Sequence, residues 1–479
     1  CVVADPHEIA NVRGVEGIKF MIEDSLRTPL KIYFMIPSCV PATRLETSGA
    51  EIGLKEIEEL KKIEGILGLG EVMNFPGVIK GEKNVIAKIK SCEGMIIDGH
   101  APGLRGEELC AYIAAGIMSD HESVTAEEAM EKLSLGMWIM IREGSTAKNL
   151  SELASIVSKG CPERVMLVTD DQHADDLLTE GHLDHILRRA VEEGIDPVDA
   201  VRMVTVKPAE YFRLQHLGAV SPGKSANIVI VNNLKEFRAE TVFIDGKIVA
   251  KEGEYLGSIG KSIAKKTVEK TVYTGKLLPE DFKISYCGSE ETEVEVIVIE
   301  VIPDQIVTDK IQFKLPVKNG EVLPDLERDI VKICVVERHH NSGRIGKGFV
   351  KGFGLKKGAL ASTVAHDSHN IVVIGASDGE ICRAVNRIRE IDGGLVAVSG
   401  NEIKCELPLP IAGLMSDRGI DFVAERMEHL NKSAHNLGCC LRNPFMALSF
   451  LALPVIPKLK ITDLGLVDVE KMKVISLFV

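Results

Sequence analysis

Residues 94–121 read GMIIDGHAPGLRGEELCAYIAAGIMSDH. The apolar runs at 95–98 and 116–119 have the length of strands, and the amphipathic stretch 106–115 between them has the pattern of a helix. A strand, a helix and a second strand in that order form a parallel β/α unit. Each strand runs out on a histidine, His100 and His121. The same design recurs on both sides: GILGLGE (65–71) ends at Glu71, and RVMLVTD (164–170) ends at Asp170.

Further strand-like runs lie at 1–4, 31–36 and 138–142, with helical stretches at 54–63, 126–133 and 150–158. Thr125 and Glu128 have the spacing of a capping box at the start of one helix. The alternation predicts a parallel α/β barrel over residues 1–205. Seven strands are visible where a closed barrel of this kind has eight. The chain opens on Cys1, directly inside a strand pattern. The expectation is an incomplete (β/α)8 barrel whose first strand lies upstream. From 206 to 270 the texture changes to LGAVSPGKSANIVIVN and AETVFIDGKIVAKEGEYL, short strands joined by Pro-Gly and Asp-Gly turns. That is a small β domain ending in the charged stretch 261–270. Residues 271–479 read as an α+β domain, with alternation in ETEVEVIVIEVI and a helix at 378–390.

Bulk properties narrow the function. A net charge of −13 and 4% aromatic content provide neither the basic face nor the stacking platform of a nucleic-acid binder. No apolar run is long enough to span a bilayer, so no membrane partner is expected. Eleven cysteines without a CxxC pair fit reduced thiols in a cytoplasmic protein.

Side chains at the carboxyl ends of successive parallel strands converge on one face of a barrel. Glu71, His100, His121 and Asp170 there make a donor set able to hold one or two divalent cations and activate water. Singly, each has a plainer reading, as a hydrogen-bonded histidine or a helix-capping acid; the reading rests on their equivalent positions. Asp171 rivals Asp170, because strand ends are uncertain by a residue or two. His7 and Glu8 follow the first visible strand, and His173 follows Asp170, so His7 and His173 are candidate substrate contacts. Arg142, with Glu143 after it, either holds substrate or pairs with that neighbour. GRIGKGFVKGFG (343–354) lacks the GK[ST] ending of a phosphate loop and reads as turns in a β-rich region. His366, Asp367 and His369 in HDSHN are either a second metal or substrate cluster or a capped surface turn.

VVADPHEIANV (2–12), LGEVMNFPGVI (69–79), IDGHAPGL (97–104), SDHESVTAEEA (119–129) and VTDDQHADDL (168–177) resemble the bacterial and archaeal adenine deaminases of the amidohydrolase superfamily. GKGFVKGFGLKKGALASTVAHDSHNIVVIG (346–375) is similar to that family's C-terminal domain. The resemblance covers nearly the whole chain. It implies hydrolysis of adenine to hypoxanthine and ammonia, in purine salvage, at a dinuclear site taking Mn2+ or Fe2+. By motif match, Glu71 is the bridging carboxylate, His100 and His121 are strand-end ligands, and Asp170 binds metal and shuttles protons. Glu71 and Asp170 are the catalytic acids in that match. The superfamily's first-strand His-x-His pair has no counterpart here and would precede Cys1. The implied partners are adenine and further copies of the chain in a homo-oligomer. Two rival readings remain: a dihydroorotase-like cyclic-amide hydrolase, which usually has lysine at the position of Glu71, and a truncated scaffold that holds metal weakly. The H-x-E and P-C-x-x-C signature of cytidine-type deaminases is absent.

Overall fold

The computed structural model describes residues 1–145, 147–158, 163–258, 268–288, 292–303 and 305–479. They group into two compact units. The first comprises Cys1–Pro6, Met21–Cys39 and Ile52–Ile263, the second His7–Phe20, Val40–Glu51 and Ala264–Val479. The helix His7–Ser25 crosses between these groupings, and it kinks at Gly14, where φ is +56°.

Among the described residues the first unit has seven parallel strands, in the order expected from the sequence. β1 (Val2–Ala4), β2 (Ile32–Pro37), β3 (Ile66–Val72) and β4 (Ile96–Gly99) form one sheet in sequential order. β5 (Ser119–Asp120), β6 (Trp138–Arg142) and β7 (Val165–Val168) form another. The backbone continues between them: Met118 N donates to Ile97 O at 2.9 Å, and Trp138 N to Met118 O at 2.9 Å. Both sheets contribute to one interior cluster of Met35, Ile96, Met140, Met166 and Tyr211. On the opposite side, Ile139, Ile141, Val165 and Leu167 pack with helix residues Leu153, Ile156, Val157 and Ile186. Strands buried on both faces are continuous apolar runs rather than alternating ones, which is why these segments read so clearly.

The helix Ala126–Ser134 begins as expected at Thr125, whose Oγ1 accepts from Glu128 N at 3.3 Å. The capping box is half formed, because Glu128 turns its carboxylate elsewhere: Oε2 accepts from Val124 N, and Oε1 from Gly103 N and Lys132 Nζ. A buried lysine outcompetes the cap.

After the parallel strands, β8 (Ile228–Val231), β9 (Ala239–Ile244), β10 (Lys247–Lys251) and β11 (Glu254–Tyr255) form an antiparallel meander. The expected Asp-Gly turn joins β9 to β10, with φ +48° at Asp245 and +76° at Gly246, a pair of positive values suited to a two-residue hairpin. Most of the charged stretch expected at 261–270 lies outside the described residues.

The second unit is built on a mixed sheet. Among the described residues its strands are β12 (Glu293–Val301), β13 (Thr308–Lys318), β14 (Glu321–Val322), β15 (Ile330–Val336), β16 (Ile345–Lys351), β17 (Ala359–Ser362), β18 (Ile371–Gly375), β19 (Gly394–Ser399) and β20 (Glu402–Pro408). Their order is 14-13-12-16-15-18-17-19-20. The period-two pattern serves both faces. Cys334, Val336, Val373 and Val398 pack under the helix Asp378–Glu390, while Ile333, Val335, Val372 and Ile374 share a cluster with Leu430 and Leu448 of two later helices. GRIGKGFVKGFG contains the strand β16 rather than a set of turns. Gly346 lies so close to the Thr462 carbonyl that a Cβ would collide with it, so the glycines permit strand packing.

Among the described residues no helix is long and apolar enough to cross a membrane.

Candidate functional site

The carboxyl ends of β3, β4 and β5 bring three of the four expected residues together. Glu71 sits one residue before the end of β3, and His100 and His121 immediately follow β4 and β5. His100 Nδ1 stands 3.2 Å from His121 Nε2. Glu71 Oε2 is 3.4 Å from the first nitrogen and 3.8 Å from the second. Donors at the 2.0–2.2 Å bond lengths of a tetrahedral divalent cation lie about 3.4 Å from one another. The three separations bracket that value, and one carboxylate with two imidazoles suits a first-row divalent ion. The donor set therefore fits such a metal.

Glu122 was missed in the sequence. Its Oε1 lies 3.6 Å from both His100 Nδ1 and His121 Nε2. The signal was present in SDHES, an acid directly after the strand-end histidine. Side chains alternate along a strand, so a neighbour of His121 reads as facing away. β5 is only two residues long, however, and the chain has already turned at Glu122.

Arg142, the last residue of β6, is buried and gathers the remaining acids. Its Nη2 donates to Glu122 Oε2 at 2.9 Å and its Nη1 to Asp170 Oδ2 at 2.6 Å. The alternative in which Arg142 pairs with Glu143 is overturned; Glu143 accepts instead from Leu150 N. Asp170 thus stands beside the cluster, with one ligand atom within 4.8 Å of His121 and Glu122 donors. It is one-third exposed, and its Oδ1 accepts from the Asp171 backbone N–H at 2.8 Å, which leaves Asp171 supporting Asp170. Both Glu71 (φ +28°) and Asp170 (φ +59°) adopt the left-handed backbone that side-chain-bearing residues seldom take. Such strain concentrates where a side chain must be aimed.

Buried polar contacts fix the frame. Tyr112 Oη donates to Val72 O at 2.8 Å and accepts from His100 N at 3.0 Å, tying the end of β3 to the end of β4. Asp98 accepts from Ser119 Oγ at 2.8 Å and from Tyr211 Oη; burial raises its pKa to about 6 despite those two donors. Lys132, fully buried, reaches Asp120 Oδ2 and Ala101 O, each at 2.8 Å, while Asp120 Oδ1 accepts from Ala101 N. The loops carrying His100 and His121 are therefore tied together through Lys132, which also pairs with Glu128. Burial works to depress the His100 pKa, but Glu122 and Glu71 outweigh it and hold the ring above the ordinary imidazole range.

The remaining candidates are His173, His7 and the HDSHN residues. His173 precedes the helix Ala174–Thr179 and groups with Asp175 and Asp176. His7 belongs to the second unit, where it groups with Glu8 and Asp367. His366, Asp367 and His369 are buried in that unit, which overturns the surface-turn alternative for HDSHN.

Residues 1–249 match the amidohydrolase family, and residues 305–473 match the adenine deaminase C-terminal domain. The chain is 46% identical over 474 residues to an adenine deaminase of Dehalococcoides mccartyi, covering 99% of this chain and 82% of that one. It is 49% identical to the adenine deaminase of Archaeoglobus fulgidus, over 99% of this chain and 81% of the other. For the adenine deaminase of Methanothermobacter thermautotrophicus the identity is 50%, over 99% and 86%. With a strand-end carboxylate and two strand-end imidazoles on parallel β/α units, and this similarity across almost its full length, the chain belongs to the adenine deaminase family of the amidohydrolases.

Proposed function

We propose that this chain hydrolyses adenine to hypoxanthine and ammonia, with Glu71, His100 and His121 holding a divalent metal and Asp170 moving the proton. The observation that carries the reading is the convergence of those three donors at 3.2–3.8 Å in a chain about half identical to adenine deaminases. A bound divalent cation supplies Lewis acidity and makes water a nucleophile near neutral pH. A dinuclear centre of Mn2+ or Fe2+ would be the expected form, with Glu71 among the residues that would hold it.

The protein's own part follows from the geometry. Water oxygen bonds to adenine C6, and the C6–N6 bond breaks. Asp170 accepts one water proton and delivers it to N6, which leaves as ammonia; the second ends on N1 of hypoxanthine. Arg142 aims the Asp170 carboxylate through Oδ2 and holds Glu122 by the same guanidinium. Glu122 in turn faces the histidine nitrogens. Arg142 is therefore a positioning residue rather than a substrate contact. The division into 1–205, 206–270 and 271–479 is supported by the change from parallel strands to the meander β8–β11 and then to the mixed sheet. A role in purine salvage follows from the reaction.

The reading is tested by supplying the protein with Mn2+ and adenine and measuring both products. Equimolar hypoxanthine and ammonia are expected. Opening of the purine ring without ammonia release would instead indicate a cyclic-amide hydrolase.

A further inference from the structure

The second unit carries its own converging set of donors. Glu8 Oε1 lies 2.7 Å from His366 Nδ1 and 3.4 Å from His7 Nε2. Asp367 Oδ1 is 3.8 Å from the same His366 nitrogen. His7, Glu8 and Asp367 each offer a ligand atom, and these lie within 4.8 Å of one another. One imidazole and two carboxylates thus come together, with the His366 ring beside Glu8 and Asp367, drawn from a helix start and a buried loop distant in sequence.

The back of this cluster is fixed and its front is open. His366, Asp367 and His369 are buried. The His366 ring stacks on Phe450 with centroids 4.9 Å apart and planes 22° from parallel. Ala365 N–H donates to His369 Nδ1 at 3.2 Å, so a neutral His369 carries its proton on Nε2, the atom that contacts Glu8 Oε2. His369 is thereby a donor that orients Glu8 and not a ligand. Such outer partners fix the carboxylates that bind metals. The side chains of His7 and Glu8 are 20% and 31% exposed, which leaves an ion a way in. Two carboxylates brought together at a largely buried position are stabilised by positive charge between them.

We propose that His7, Glu8, His366 and Asp367 form a second site for a first-row divalent cation, with His369 holding Glu8 in place. Two of the donor separations, His7 to Glu8 and Asp367 to His366, lie near the value of about 3.4 Å set by a shared ion. The third, His366 to Glu8, is a hydrogen bond that the ion replaces, and a proton is released as the ligands turn to it.

The experiment is a Co2+ titration of the whole chain, followed by visible d–d absorption and by bound metal after dialysis. The variant H100N/H121N removes the two imidazole donors of the first unit. It is expected to retain one cobalt per chain, and adding E8Q or D367N should abolish that binding. H369Q in the same background should weaken it about 10- to 100-fold. H7Q, at a partly exposed residue, tests the site with little risk to folding, and far-UV circular dichroism verifies each variant. The proposal is overturned if folded H100N/H121N binds no cobalt, or if E8Q and H7Q leave its affinity unchanged. Neither result bears on adenine turnover, so this site and the proposed function stand or fall separately.

Discussion

His100 Nδ1 and His121 Nε2 face each other across 3.2 Å, with Glu71 Oε2 3.4 Å from the first and 3.8 Å from the second. Two protonated rings would repel at that distance, whereas two lone pairs and a carboxylate suit a cation. Replacing either histidine by asparagine is therefore expected to lower Mn2+ affinity and adenine turnover by at least about 100-fold. Chelation of the parent protein should have the same effect on turnover, reversed by Mn2+. Metal content after dialysis and the initial rate check both.

Asp170 lies beside that triangle, bound to Arg142. Asp170→Asn keeps the shape and a hydrogen-bonding oxygen but cannot accept a proton. Turnover is expected to fall by about 10²–10⁴-fold while the Glu71–His100–His121 metal is retained. The ratio of kcat to bound Mn2+ is the readout, and near-normal kcat would remove Asp170 from its role.

Tyr112 joins two site-bearing strands by one hydroxyl. In Tyr112→Phe, Val72 O and His100 N lose their partner in a buried setting, at a cost of about 1–3 kcal/mol for each group left unsatisfied. Thermal melting should shift down, and Mn2+ affinity should fall because the backbone beneath His100 loosens. An unchanged metal affinity with a lowered melting temperature would make Tyr112 structural only.

Lys460 gives a pH-dependent prediction. It lies buried between Leu459 and Ile461, donates to Ile306 O at 2.7 Å, and burial pushes its pKa down to about 7. An unfolded lysine titrates near about 10.4. Below pH 7 both states are charged, and the folded state bears the full desolvation cost. Between about 7 and 10.4 the folded state is neutral while the unfolded state still binds a proton, so stability rises with pH across that window. Lys460→Met removes this slope and should stabilise the protein by a few kcal/mol at pH 6, about the scale of a multi-unit shift, with the gain vanishing near pH 10. Urea denaturation at pH 6, 8 and 10 checks the sign.

Much of the first unit was legible because its strands are short, continuous apolar runs ending on residues with chemistry. Glu71, His100 and His121 could be paired from their positions alone. Glu122 could not, since its orientation depends on β5 stopping after two residues. Nor could the partner of Arg142, because the choice among three nearby carboxylates is made by loop conformation. The glycines of β16 misled for a related reason: Gly346 admits the approach of Thr462, more than 100 residues later in the chain. The grouping of His7–Phe20 and Val40–Glu51 with the C-terminal half is likewise a matter of tertiary packing, invisible to local pattern.

The most direct test of the central claim is product formation from adenine with Mn2+ supplied. Equimolar hypoxanthine and ammonia, abolished by His121→Asn and by Asp170→Asn, is the predicted result. Folded, Mn2+-loaded protein that leaves adenine unchanged would contradict it.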